Sequence, residues 1–132
     1  MEIERKFLIK ELPDRSRIKP VHYERYYLQK GKDMVVRIQK KGENYEYETK
    51  RTISDLEHEK EKHSITQEEF ESLRKGKESE VIIRESYQIQ CEPTISIKIY
   101  HERFEGLSRA EVEFLTKAEA ENYTPQTGWE QK

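Results

Sequence analysis

The sequence predicts a mainly β protein, built from antiparallel strands with a few short helices. Three observations carry this expectation. Charged and apolar residues alternate with a period of two over strand-length runs. Turn signals such as Lys30-Gly31-Lys32-Asp33 and Lys41-Gly42-Glu43-Asn44 separate those runs at hairpin spacing. Only two short stretches, each opened by a threonine with a glutamate three residues on, break the alternation with helix-start chemistry.

The elements follow in order. Met1–Ile9 sets Glu2, Glu4 and Lys6 against Ile3, Phe7 and Ile9, so it reads as a strand. Glu11–Pro20 holds two prolines and reads as a loop. Val21–Gln29, rich in tyrosine, and Met34–Gln39 read as strands around the first turn. Tyr45–Thr52 is the partner across the second turn, and Glu57–His63 follows with glutamates at alternate positions. Thr66-Gln67-Glu68-Glu69 opens a helix over Gln67–Lys75, with Ile65 and Phe70 at staple positions and Gly76 past its end. Glu80–Gln90, Thr94–Glu102 and Arg109–Leu115 return to strand. Thr116-Lys117-Ala118-Glu119 opens a second short helix to Tyr123, and residues 124–132 read as irregular.

A chain of 132 residues suits one domain, 1–132. Hydrophobic residues make up 33% and charged residues 39%, so the chain is too polar for a large apolar core and holds no membrane-spanning apolar run. Disorder is opposed by eight tyrosines and by nearly cancelling charge, with 25 Lys+Arg against 27 Asp+Glu. The net charge of -2 gives no bulk attraction to nucleic acid or anionic membranes. One cysteine, Cys91, and an N-terminus without an apolar signal region point to a cytoplasmic protein. The apolar faces could pack as a sandwich with charged faces in water, or close a barrel around a polar lumen. Pattern alone leaves both open.

The chemistry lies in carboxylates spaced i, i+2 on strands. Glu2/Glu4 and Glu111/Glu113 each present two oxygen donors on one face, the donor type that suits Mg²⁺ or Mn²⁺. Lys6, Arg37, Lys50 and Arg84 supply fixed cations for an anionic ligand. Carboxylates for metal beside cations for oxygen anions is what phosphoryl chemistry requires. The scattered histidines His22, His58, His63 and His101 have no ligand spacing and read as surface residues. The tyrosines Tyr23, Tyr26, Tyr27, Tyr45 and Tyr47 could stack bases but read more simply as wall packing.

Glu2-Ile3-Glu4-Arg5-Lys6-Phe7 resembles the Glu-x-Glu-x-Lys signature of the CYTH superfamily, the triphosphate tunnel metalloenzymes. Val36-Arg37-Ile38, Thr49-Lys50, Glu57-His58-Glu59-Lys60-Glu61 and Gly106-Leu107 followed by Ala110-Glu111-Val112-Glu113-Phe114 are similar to further family motifs in the same order. The resemblance implies an eight-stranded antiparallel β-barrel tunnel with a polar lumen and short peripheral helices. It implies Mg²⁺ or Mn²⁺ held by Glu2, Glu4, Glu111 and Glu113. Lys6, Arg37, Lys50 and Arg84 would contact phosphate oxygens, and Lys98, which departs from the family pattern, is added to them as a candidate substrate-binding residue. Glu4, Lys6, Glu59 and Glu61 would serve catalysis.

The implied function is metal-dependent hydrolysis of tripolyphosphate or of a nucleoside or organic triphosphate. The alternatives are an activity like that of class IV adenylyl cyclases, or a polyanion-binding module with impaired catalysis. The implied partner is a triphosphate-containing small molecule, with neither nucleic acid nor membrane, and the chain would act as monomer or homodimer. Four positions depart from the family pattern. Gln39 and Ser86 stand where arginines are common, and Ser96 and Lys98 replace a pair of acids. Lys98 could neutralise phosphate or mark the loss of a water-positioning acid.

Overall fold

The computed structural model describes residues 1–131. Eight strands close into an antiparallel barrel: β1 Glu2–Ile9, β2 Val21–Lys30, β3 Met34–Lys41, β4 Asn44–Thr52, β5 Glu57–Ser64, β6 Ile82–Ile89, β7 Thr94–His101 and β8 Ser108–Phe114. The strand order is β5-β4-β3-β2-β6-β7-β8-β1, and β5 pairs with β1 to complete the ring. That closing seam is short. It consists of Glu2 opposite His58 and Ile3 opposite Glu57, extended by the Glu4 N–H donating to the Leu56 carbonyl at 3.2 Å. A ninth strand, β9 Trp129–Gln131, takes the rest of the same β1 edge, with Trp129 opposite Ile9 and Gln131 opposite Phe7.

The barrel, not the sandwich, is therefore the solution, and its polarity is inverted. The apolar side chains face outward and form two clusters under the peripheral segments. Phe7, Ile97, Ala110 and Val112 are fully buried beneath α2 (Lys117–Asn122), which adds Ala120, and Tyr123 and Trp129 complete that patch. Tyr26 and Ile38 lie beneath α1 (Gln67–Arg74), which inserts Phe70 with its ring centroid 5.0 Å from that of Tyr45. α1 stands where the capping chemistry puts it. Thr66 Oγ1 accepts from the Glu69 N–H at 3.1 Å, and Glu69 Oε1 accepts from the Thr66 N–H at 3.0 Å. Small outer shields suffice because the polar faces do not need covering.

The boundaries moved where local turns compete. Glu78–Glu80 form a 3-10 turn, so the sixth strand starts at Ile82 and not at Glu80. α1 ends at Arg74, one residue short of the expected Lys75, and α2 ends at Asn122. Residues 129–131 pair with β1 where an irregular tail was expected, because the free edge of β1 offers unpaired N–H and C=O groups. Lys132, the last residue of that expected tail, lies outside the described residues.

Candidate functional site: a cation-rich lumen

Strand alternation delivers one side chain in two to the interior. The resulting cavity has a volume of about 510 Å³ and is lined by residues of all eight strands. Eleven lysines and arginines line it against five glutamates. A chain of net charge -2 thus carries a strongly positive interior.

The acids gather where β1 meets β8. Glu4 lies opposite Glu113 and Lys6 opposite Glu111 in the β1–β8 register. One carboxylate oxygen from each of Glu2, Glu4 and Glu113 falls within 4.8 Å of the other two. Burial, and then the charges of Glu2 and Glu4, push the Glu113 carboxyl above its usual value. Three oxygen donors on rigid strands suit a hard divalent cation, and Glu2 Oε1, buried without a hydrogen bond, has the Lys50 ammonium 3.4 Å away. Of the four expected metal ligands these three converge. Glu111 faces the same lumen outside that trio, and Lys98, Arg84 and Lys6 overcome its burial to hold it at about 2.

Three ammonium groups crowd these acids. Lys50 Nζ lies 2.9 Å from Glu4 Oε1 and 3.4 Å from Glu2 Oε1, Lys60 Nζ 3.2 Å from Glu2 Oε2, and Lys6 Nζ 3.6 Å from Glu4 Oε1. Burial alone would raise Glu2, and Lys60 with Lys50 outweighs it and draws the carboxyl down.

The remaining cations are arranged differently. Arg37 is paired, its Nε donating to Glu48 Oε2 at 2.7 Å. Arg25, Arg84, Lys98 and Arg109 have no carboxylate oxygen within 4.0 Å among the described residues. Neutral groups hold them instead. Lys98 Nζ donates to Ser86 Oγ at 2.8 Å, and Arg84 Nη1 to the Tyr100 hydroxyl at 3.1 Å. The Tyr23 ring centroid lies 4.9 Å from Arg84 Cζ, 5.5 Å from Lys98 Nζ and 5.7 Å from Arg25 Cζ. The Nε atoms of Arg84 and Arg109 are buried without a partner.

The strain shows in the ionisation. Burial, then Arg84 and Arg37, depress Arg25 to about 10. Burial lowers Lys98 to about 8, with Arg84 and Arg25 adding to it and Glu111 opposing. Tyr27 is drawn to about 8, because Arg25 and Arg37 outweigh the burial that would raise it. Buried cations with no carboxylate in ion-pair contact favour an anion over a cation at this end of the lumen.

Two departures from the family pattern have a structural account. Ser86 is directly opposite Lys98 across β6 and β7, where an arginine would set two cations face to face. Gln39 lies opposite Arg25 and accepts from it, which an arginine cannot do.

Of the expected phosphate contacts, Lys6, Arg37, Lys50, Arg84 and Lys98 all line the cavity. The β5 acids do not. Glu59 faces outward and pairs with Arg51, and Glu61 lies on the same outer face, while Lys60 and Lys62 turn inward. A shift of one residue exchanges the two faces of a strand, so acids expected in the tunnel are replaced there by cations.

Tyr26, Tyr45 and Tyr47 pack outside as expected, but Tyr23 and Tyr27 face the lumen. His58, opposite Glu2, is half-buried, and burial followed by Lys50 lowers its pKa, so it departs from the surface reading. Sequence reasoning missed Arg25, Glu48, Lys60, Lys62 and Arg109. For Glu48 and Arg109 the signal available was their period-two spacing from Lys50 and Glu111.

No protein-family model matches the chain, and no curated protein matches it. Solved structures do match. The inorganic triphosphatase NE1496 superposes with a TM-score of 0.70 and 23% identity, over 99% of this chain and 85% of that one. A putative adenylate cyclase from Bacillus halodurans gives 0.69 at 13% identity, over 92% and 84%. A putative adenylyl cyclase from Hippeastrum, described as having a dominant triphosphatase activity, gives 0.61 at 12%, over 92% and 83%. The chain shares the fold of these proteins, and the resemblance read from its motifs holds at that level.

Proposed function

We propose that the lumen binds a triphosphate-containing small molecule together with Mg²⁺ or Mn²⁺ and hydrolyses its terminal phosphoanhydride bond. The observation that carries this is the juxtaposition of three buried cations and the half-buried Arg109, none in contact with a carboxylate, with a trio of carboxylates in one cavity. Arg25, Arg84, Lys98 and Arg109 would bind the phosphate oxygens. Glu2, Glu4 and Glu113 would hold the divalent ion, which supplies charge neutralisation and Lewis acidity to a bound phosphate. Lys6 and Lys50 border both groups and would orient the phosphate nearest the carboxylates. Water attacks the terminal phosphorus in line, the P–O bond to the rest of the ligand breaks, and the buried cations stabilise the charge on the departing oxygen. Glu113, the exposed carboxylate of the trio, would also accept the proton of that water.

Lys60, Lys62 and Lys98 favour a second reading, a tunnel that holds a polyanion without turnover. Glu48 is tied to Arg37, and Glu111 is too weak a base at about 2, so few free proton acceptors remain. A panel of tripolyphosphate and nucleoside triphosphates, with and without Mg²⁺ or Mn²⁺, separates the readings. The products to follow are phosphate, pyrophosphate and cyclic nucleotide. Phosphate release that Glu4→Gln abolishes supports hydrolysis, and cyclic nucleotide would mark a cyclase. Tight metal-free binding with no product supports the second reading, and no binding of any triphosphate sinks both.

A further inference from the structure

Lys50 and Lys60 are direct cross-strand partners on β4 and β5. Two like charges in that relation repel. The Glu2 carboxylate resolves the conflict by lying between them, with Oε1 3.4 Å from Lys50 Nζ and Oε2 3.2 Å from Lys60 Nζ. Lys50 also reaches Glu4 Oε1 at 2.9 Å. Both oxygens of Glu2 are therefore engaged by ammonium groups at the place where the carboxylate trio would accept a divalent ion. Lys62, one inward position further along β5, pairs instead with Glu46 at 3.6 Å and touches no member of the trio.

We propose that Lys60 is a positioning residue that competes with the divalent cation for Glu2 and, once displaced, becomes a ligand of the polyanion. This rests on the functional reading above. The side chain of Lys60 is 32% exposed along the cavity, so its four-carbon stem can swing without breaking the wall. The Lys60 ammonium neutralises Glu2. Glu2, Glu4 and Glu113 would hold a divalent ion of twice that charge in its place, and Lys60 would then have the anionic oxygens of the ligand as its next partner. Each ligand thereby favours the other, because the group one displaces the other receives. A lysine facing a metal-binding glutamate thus becomes a coupling element between cation and polyanion.

The test uses the two ligands separately and then together. Mn²⁺ binding is measured by paramagnetic resonance in the absence of any phosphate, and tripolyphosphate binding by calorimetry with a chelator and again at saturating Mn²⁺. Lys60→Gln is expected to bind Mn²⁺ at least about fivefold more tightly, and to bind tripolyphosphate at least about fivefold more weakly at saturating Mn²⁺ but within about twofold under the chelator. Lys62→Gln serves as the comparison, with weaker tripolyphosphate binding and unchanged Mn²⁺ binding. A purely structural role for Lys60 would weaken both ligands or neither. Mn²⁺ affinity that is unchanged or reduced in Lys60→Gln overturns the inference. Failure of the unsubstituted protein to bind tripolyphosphate counts against the functional reading alone, since the Mn²⁺ measurement still decides whether Lys60 competes.

Discussion

Gln39 accepts two hydrogen bonds from Arg25, from Nε at 2.9 Å and from Nη2 at 2.6 Å, and passes the charge on by donating to Glu46 at 2.8 Å and Glu48 at 3.2 Å. A neutral amide thus links a buried guanidinium to two carboxylates that do not touch it. Gln39→Leu removes the acceptor and leaves Arg25 buried with unsatisfied donors. The expected cost is about 3 kcal/mol of folding stability, read from denaturant unfolding. Added tripolyphosphate should restore most of it, and a loss that the ligand does not repair would show that Arg25 does not face the bound anion.

Lys98 makes the empty protein more stable in alkali. Its pKa falls from the usual 10.5 to about 8 in the folded state. Between those values the unfolded chain binds the extra proton, so stability rises with pH. Tyr27, lowered from 10.0 to about 8, acts in the same direction over its own interval. Midpoints of urea unfolding should climb between about pH 8 and 10, and Lys98→Met should flatten the climb. A midpoint that falls across this range in the ligand-free protein would contradict the unpaired cation cluster.

Glu111 works at the other end of the scale. Its pKa drops from 4.5 to about 2 on folding, so its contribution is complete above 4.5 and disappears as the pH falls toward 2. Glu111→Gln should therefore lower stability at neutral pH and have little effect near pH 2. Equal destabilisation at both pH values would mean the side chain acts through packing and not through charge.

The face assignment of β5 has a direct readout. Glu59→Gln and Glu61→Gln alter only the outer wall, so tripolyphosphate affinity should stay within about twofold. A tenfold change from either would place those side chains inside.

Phe70 is the one fully buried side chain that α1 contributes to the wall. Phe70→Ala should cost about 3–5 kcal/mol and release α1 from Tyr26 and Tyr45. Amide exchange in residues 67–74 would then rise before exchange in β7 and β8. Uniform exchange throughout the chain would show that α1 is not a separate outer shield.

Much of the fold was legible because strand alternation is local. Each strand core was readable from its period, and α1 from Thr66, Glu69, Ile65 and Phe70. Closure was not local. Nothing in the order of residues says that His58 meets Glu2, since a seam of two residue pairs leaves no periodic trace. The same limit explains the candidate site. Glu2, Glu4, Lys6, Arg37 and Lys50 sit in clear alternation and were legible. Glu59 and Glu61 were misplaced because both faces of β5 are charged, and a strand polar on both sides carries no mark of which face is inside. Arg25 was missed because its strand is filled with tyrosines on both faces.

The separation of charge across the wall also governs how a ligand arrives. With a net charge of -2 and six more cations than acids lining the cavity, the rest of the chain carries eight net negative charges, most of them on the exterior. A polyanion drifting near the wall is repelled, and only the lumen itself draws it in. Encounters are thus filtered by direction, and capture through a mouth is rewarded while adhesion to the outside is not. Salt screens the long-range repulsion more than the buried attraction, so raising ionic strength toward physiological values should speed association more than it weakens holding. Most electrostatically steered proteins are slowed by salt; this barrel, with its charges turned inside out, should behave in the opposite sense.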